Sequence, residues 1–387
     1  MTRSIHQHLS WNGLSNRPVK IWVLAPLVAS GDEHLDYYYD FTQSILEYTH
    51  VFDKLQLNWK WQPVRIDDFK HIISLIHEEK QRGDFFPIVL NLCDGDEING
   101  TPGVSVIAEL EKNGLIYTGS DSAFYNVTTS KIPMKKAFDA NGVANAPWRV
   151  ISEQTAIDQL FQEIGKIIIV KPAVSGGSMG VGVKNVISNK TGWNNLIASL
   201  QEGYRGWNLM ADGLIAEAFI IGEEYTALVC GHHEDPENID VYDPVERIFH
   251  HSLPEEEKFL SFERLWEIYE NETAMPNNDN FYEYTAVDKE ISESIKQLTK
   301  EAFIATGGVG YARADIRRDK TNGKLYMLEI NAQCGISEDE NFTSIGAILR
   351  FAGVAFHELI NQILHEALKR HSKLVLEEKQ RSLSTFS

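Results

Sequence analysis

Four side chains in "YARADIRRDKTNGKLYMLEIN" (Tyr311–Asn331) carry the first chemical signal. Residues along a β-strand alternate faces, so Arg313 and Asp315 share one face of one strand, and Glu329 and Asn331 share one face of the next. Thr321-Asn322-Gly323 between them is a strong hairpin-turn signal. A turn centred on Asn322 sets Asp315 opposite Glu329 and Arg313 opposite Asn331, while Leu328 and Ile330 point the other way into a core. Two facing carboxylates repel unless a positive charge lies between them. Magnesium suits that position: it is a hard ion taking oxygen ligands from one or two carboxylates together with substrate phosphates, and manganese accepts the same ligands. Arg313 beside the ion can meet phosphate oxygens that carry charge in transfer. A solvated hairpin face with a cross-strand ion pair would use the same residues, so the hairpin alone leaves both readings open.

The second signal is "IIIVKPAVSGGSMGVGV" (Ile167–Val183), an apolar strand, then Lys171-Pro172, then glycines at 176, 177, 180 and 182. Lys171 precedes the glycines, whereas a P-loop needs its lysine just after the last one. The G-x-G-x-x-G spacing of a dinucleotide fold is also absent. The loop has to be interpreted with the rest of the chain.

These residues need elements to hold them. Val19–Leu24 reads as a short strand, and Asp40–Leu57 carries Phe41, Ile45, Tyr48, Phe52 and Leu55 at helical spacing. Phe85–Leu92 is a continuous apolar strand followed by the polar loop "CDGDEINGTPG", a helix over Val104–Asn113 stopped at Gly114, and the short strand "LIYTGS". Alternating strand and helix predicts a parallel sheet with covering helices. A new unit starts near Thr128, with a helix over Lys131–Asn141 stopped at Gly142. Leu214–Gly231 reads as two strands broken at Gly222, His232–Asn280 as polar and irregular, Glu290–Ala305 as a helix, and Val354–Arg370 as the closing helix. The boundaries expected are 1–127, 128–213 and 214–372, with 373–387 a frayed polar tail.

The 387 residues carry a formal net charge of -19, with 43% hydrophobic and 24% charged residues. That is an ordinary globular composition, and its acidity argues against nucleic acid as main partner. A nucleotide needs only a local positive pocket. Three scattered cysteines (Cys93, Cys230, Cys334) predict free thiols in a reducing compartment. No secretory h-region and no membrane-length apolar run is read, so the expectation is a cytoplasmic protein without a membrane partner. Adjacent histidines at 232–233 and 250–251 would face opposite ways on strands, which favours surface or lid roles over a metal site.

The hairpin "RADIRRD…KLYMLEINAQCG" resembles the metal-binding hairpin of the ATP-grasp superfamily, and of its D-alanine–D-alanine ligase group in particular. The likeness runs in the family's order. "NGTPGVSVIAELEKNGLIYTGS" is similar to the helix leading to "LpYTGS", and "TTSKIPMKKAFDANGVANAPW" to the "DK-x3-K" helix. "VKPAVSGGSMGVGV" is similar to the "VKP…GSS-G" loop, and "EAFIIGEEYT" to the "E-x-x-x-x-G-x-E-x-T" strand pair.

The resemblance implies a three-domain ATP-grasp α/β fold with ATP between the central and C-terminal domains. It implies a ligase that phosphorylates a carboxylate, lets an amine attack the acylphosphate, and releases ADP and phosphate. The glycine loop then becomes a lid over the triphosphate, with Gly176, Gly177, Ser178 and Gly180 bringing backbone N–H groups to the phosphates. Lys171 and Lys131 would hold phosphates, and Glu217 would reach the adenine amino group. The backbone of Ala218, Phe219 and Ile220 would pair with the base, and Glu224 would hold the ribose. Asp315, Glu329 and Asn331 would hold magnesium, and Arg313 would stabilise the transferring phosphoryl. Lys258, followed by Phe259, stands where the family has a lysine–tyrosine pair. Gly335, Glu338, Thr343 and Ser344 stand on the substrate side.

Three departures concern the substrates. A loop serine of the family is Gly177 here, with Ser178 kept. The first-strand loop offers Asp32, Glu33 or Asp36 as the amine-binding acid. The segment "NAQCGISEDENFTS" is longer and more acidic than its counterpart, through Glu338, Asp339 and Glu340. These features favour an amine or another cationic group, so two D-alanines are expected to be a poor pair. D-alanine–D-alanine ligation itself, the addition of serine or threonine to mycosporine-glycine, and nucleotide binding without turnover stay open as alternatives. A homodimer is as open as a monomer.

Overall fold

The computed structural model describes residues 17–28, 41–98, 100–152, 155–204, 207–339 and 343–384. Asp32, Glu33, Asp36 and Glu340 lie outside them.

Three sheets organise the chain. The first is parallel, in the order β2 (Asn58–Val64), β1 (Val19–Pro26), β3 (Phe86–Asn91), β4 (Ile116–Tyr117). Ile21, Val23 and Leu24 are fully buried, as a strand covered on both faces requires. Helices Phe69–Arg82 and Val104–Lys112 pack on one face through Ile73, Ile76 and Ile107. Helices Thr42–Leu55 and Phe356–Ser384 cover the other through Tyr48, Phe52, Leu359 and Ile363. The last helix continues past Arg370, where the apolar stripe used to predict it ends, because Leu, Glu, Lys and Gln all favour helix.

The second sheet has the order β5 (Trp148–Ile151), β8 (Leu214–Ala218), β6 (Ile168–Pro172), β7 (Val186–Ile187), and every pair is antiparallel. The third runs β12 (Tyr282–Ala286), β11 (Val245–Phe249), β9 (Gly222–His232), β13 (Val309–Asp319), β14 (Leu325–Ala332), with β10 (Asp240–Val241) beside β9. Helix Lys289–Ala305 covers one face, where Phe303 meets Phe124 edge-on at 5.4 Å. Burying one such ring is worth roughly 1.5–3 kcal/mol. The chain thus passes from the second sheet to the third between β8 and β9, at the predicted break before Gly222.

The His232–Asn280 stretch, expected to be irregular, contains β10 and β11. Val245–Phe249 hides its alternation because the inward position between Val245 and Phe249 is a buried arginine, Arg247.

The first and third sheets meet at Gly119 of "YTGS". Its φ is 85°, and a Cβ there would lie 1.8 Å from Gln333 Oε1. Gln333 is buried, accepts from Ser120 N–H at 3.1 Å, and donates to the carbonyl of Asn91 at the end of β3. A glycine is required because another chain segment occupies the space a side chain would fill.

Candidate active site

β14 pairs with β13 so that Arg313 lies opposite Asn331 and Asp315 opposite Glu329, the register expected from the turn. Asp319 sets that turn: its Oδ1 accepts from Thr321 N–H at 2.7 Å, and Gly323 takes φ 70°. Asp315 Oδ2 accepts from Arg313 Nη2 at 2.9 Å and from Asn331 Nδ2 at 3.3 Å. Its Oδ1 is buried and has no hydrogen-bond partner. Leaving a buried carboxylate oxygen unpaired is costly, and a divalent cation between Asp315 and Glu329 would satisfy it. The residues present therefore fit magnesium. Among the described residues no three His, Cys, Asp or Glu side chains gather as a metal site.

Facing the hairpin is a cluster of buried charge. Lys131 and Lys135 lie one turn apart on helix Lys131–Asn141. Lys171 is the last residue but one of β6, and Glu217 of β8 pairs across the sheet with Ile169. Lys171 donates to Glu217 Oε1, and Lys135 Nζ is 2.9 Å from Glu217 Oε2. Burial alone would raise the Glu217 pKa. The two ammonium groups outweigh burial and hold it at about 2. Lys131 Nζ is 3.8 Å from Glu329 Oε2, and burial, only partly offset by that carboxylate, lowers its pKa. For Lys171 burial acts in the same direction, but Glu217 and Glu329 reverse it and the pKa is raised. Both oxygens of Glu217 are thus already committed to lysines.

Glu224 occupies a similar clamp. It sits on β9 with Arg317 opposite on β13 and Arg247 opposite on β11. Arg317 Nε donates to Oε2 at 3.0 Å, and Arg247 donates to Oε1. All three side chains are buried. Arg317 also donates to the carbonyls of Ile220 (2.7 Å) and Lys258 and lies over the Phe219 ring. It thereby ties the strand edge Ala218–Ile220 to the segment after β11.

The glycine loop is closed down. Trp266 Nε1 donates to Gly177 O at 2.9 Å, Phe262 N–H to Val181 O at 2.8 Å, and Val183 N–H to Glu272 Oε1 at 2.8 Å. Gly177 has φ 55°, and a Cβ there would lie 3.1 Å from the Trp266 ring. The departure from serine at this position has a steric companion in Trp266. Trp266→Phe keeps an aromatic side chain and removes the N–H donor, at a cost of roughly 1 kcal/mol to the closed loop. Limited proteolysis within Gly176–Gly182 is expected to run about fivefold faster, with the global melting temperature unchanged.

A cavity of about 870 Å³ joins these parts. Every described site residue expected from the sequence lines it except Gly180, Lys258, Glu338 and Asp339. Gly180 (φ 72°) packs under Leu209 and Pro172. Lys258 places its Nζ on Glu255. Glu338 lines a separate cavity of about 500 Å³ with His50 and Lys54. Lys135, Arg247 and Arg317 are additions. Lys135 shares a helix face with Lys131, and Arg317 alternates with Arg313 and Asp315, so both could have been found from spacing. No sequence signal reveals Arg247, whose partner lies on another strand.

The sequence profile described as "D-ala D-ala ligase C-terminus" matches residues 138–365, more than half of the chain. The chain belongs to the D-alanine–D-alanine ligase family. A relative from Idiomarina loihiensis, named D-alanine--D-alanine ligase, is 28% identical over 262 residues, covering 66% of this chain and 72% of its own. In fold, the chain is similar to the D-alanine--D-alanine ligase of Bacillus anthracis complexed with ATP (TM-score 0.60, 18% identity, 92% of this chain and 99% of that one). It is also similar to the D-alanine-D-alanine ligase from Coxiella burnetii (TM-score 0.61, 17% identity, 96% and 100%). The fold is that of the ATP-grasp ligases, and this family member is an ADP-forming ligase that joins a carboxylate to an amine with ATP and magnesium. Its substrates are small molecules. No described helix is long and apolar enough to cross a membrane.

Proposed function

We propose that this ligase joins an amino acid to a second amine-bearing small molecule, with the residues around the cavity in the following roles. Lys131, Lys171 and the backbone of Gly176–Ser178 bind the nucleotide phosphates, the Ala218–Ile220 edge carries the base, and Glu224 takes the ribose. Lys135, Arg247 and Arg317 position Glu217 and Glu224 rather than meet the nucleotide. Asp315, Glu329 and Asn331 hold magnesium, which when bound offsets phosphate charge as a Lewis acid. Arg313 stabilises the phosphoryl oxygens, and the closed loop excludes water that would hydrolyse an activated carboxylate. Gly335, Thr343 and Ser344, which line the same cavity, receive the substrates.

The observation that carries this reading is the unpartnered Asp315 Oδ1, in register with Glu329 and beside Arg313. We further propose three units, ending near residues 127, 218 and 372. The second junction lies after Ala218 because β8 pairs within the central sheet. The cysteines, all buried and unpaired, fit a reducing compartment and hence the cytoplasm.

The test is ADP release with amino acids singly and in pairs, D-alanine included because the relatives carry that name. Release that depends on an amino acid is expected, with two D-alanines below the best pair. A highest rate with two D-alanines would replace this substrate reading by that of the named relatives.

A further inference from the structure

Glu47 is 1% exposed, and the donors that hold it carry no charge. It sits on helix Thr42–Leu55, which packs against the first sheet through Tyr48 and Phe52. Its Oε1 accepts from the Ser337 hydroxyl at 2.8 Å and from Gln43 Nε2 at 3.4 Å, and its Oε2 accepts from Glu338 N–H at 3.3 Å. Burial raises its pKa against the pull of those hydrogen bonds. Burying a carboxylate among neutral donors carries a desolvation cost. The gain is a pair of acceptor oxygens on one side chain, able to hold two consecutive residues of a distant segment. Gln43, Ser44 and Tyr48 of the same helix line the main cavity, whereas Glu47 does not. Its two oxygens are turned to the protein.

The segment it holds is the one that follows β14. Ser337 lines the main cavity and Glu338 the smaller one, so Glu47 pins the chain where it passes between them. From there the hydrogen bonds run on in one line. The Ser337 hydroxyl gives its proton to Glu47 and accepts from Asp339 N–H at 3.1 Å. The Asp339 carbonyl accepts from Thr343 N–H at 3.0 Å and from the Thr343 hydroxyl at 2.7 Å. The Thr343 oxygen in turn accepts from Gly346 N–H at 3.0 Å and caps the helix Ser344–Ala352. Thr343 and Ser344 both line the main cavity.

A helix of the first unit is thus joined, bond by bond, to two residues that face the cavity from the third. Binding groups keep their geometry only when the groups behind them are themselves fixed. We propose that Glu47 is a positioning residue for the substrates: it sets the place of Thr343 and Ser344 without meeting a substrate itself. The inference rests on the substrate role given to Thr343 and Ser344 above.

The test is steady-state ADP release with the amino acid or pair that gives the highest rate, each member and ATP varied in turn. Glu47→Gln keeps the size of the side chain but turns an N–H donor toward one of the two groups that now donate to it. It is expected to raise the KM of an amino substrate about tenfold, with kcat and the KM for ATP unchanged. Ser337→Ala cuts the same line one step further on, at a half-buried position, and serves where Glu47→Gln does not fold. Its KM effect should have the same sign, and the double variant should be no worse than Glu47→Gln alone. A folded Glu47→Gln with the wild-type KM overturns the assignment. So does a rise shared equally by the KM for ATP, which marks a general loss of structure, and so does a double variant in which the two effects multiply. Ser344→Ala separates this inference from the reading beneath it. If Ser344→Ala raises the amino-substrate KM and Glu47→Gln does not, only the positioning role fails. If Ser344→Ala leaves that KM at the wild-type value, the substrate role of the segment fails and the positioning role falls with it.

Discussion

Glu329→Gln is expected to lower ADP release about a hundredfold or more, because magnesium loses one of two carboxylates and several kcal/mol of charge stabilisation go with it. The side chain is part-exposed on β14 and its neighbours are polar, so the melting temperature should barely move. Asp315→Asn tests the same pair from the other strand, but it also breaks the Arg313 contact and should cost some stability. The measurement is a coupled ADP assay across a magnesium titration. Wild-type turnover by Glu329→Gln at ordinary magnesium would show that the two carboxylates are only a polar hairpin face.

The second large effect is on stability. Glu217→Gln removes the anion shared by Lys135 and Lys171 and leaves ammonium groups buried without a partner. Breaking a buried ion pair from one side costs about 3–5 kcal/mol, and denaturant unfolding should show a loss of that order at neutral pH. The sign of the pH dependence follows from the depressed pKa. Glu217 goes from 4.5 to about 2 on folding, so its contribution is complete above pH 4.5 and is lost as pH falls toward 2. The gap between wild type and Glu217→Gln should therefore be widest near neutral pH and narrow across that window. A gap that stays constant from pH 6 to pH 3 would mean that Glu217 is not held as an anion by its lysines.

Much of the site was legible in the chain itself. Strand alternation and the Asn-Gly turn were enough to bring Arg313, Asp315, Glu329 and Asn331 together, because a hairpin's register depends on a few adjacent residues. The helix stops at Gly114 and Gly142 were equally local, each glycine taking a positive φ at a helix end. Less was visible where two distant segments share one function. The three lid contacts join a loop near residue 180 to residues 262–272, and Arg247 meets Glu224 only because β11 and β9 are neighbours. The acid-rich insertion looked from sequence like the source of substrate charge selection, yet Glu338 lines the smaller cavity with His50 and Lys54, apart from the cavity that holds the nucleotide and metal residues.

The sequence by itself determined the family, the order of the nucleotide elements and the metal hairpin, since each is encoded within a short stretch whose spacing carries the geometry. Only the tertiary structure decided which charges are already neutralised and which are left for a ligand. Glu217 and Glu224 are spoken for by lysines and arginines from other elements, while one oxygen of Asp315 is not. That distinction depends on distances of a few ångströms between residues far apart in the chain, over which a buried charge interaction rises or vanishes.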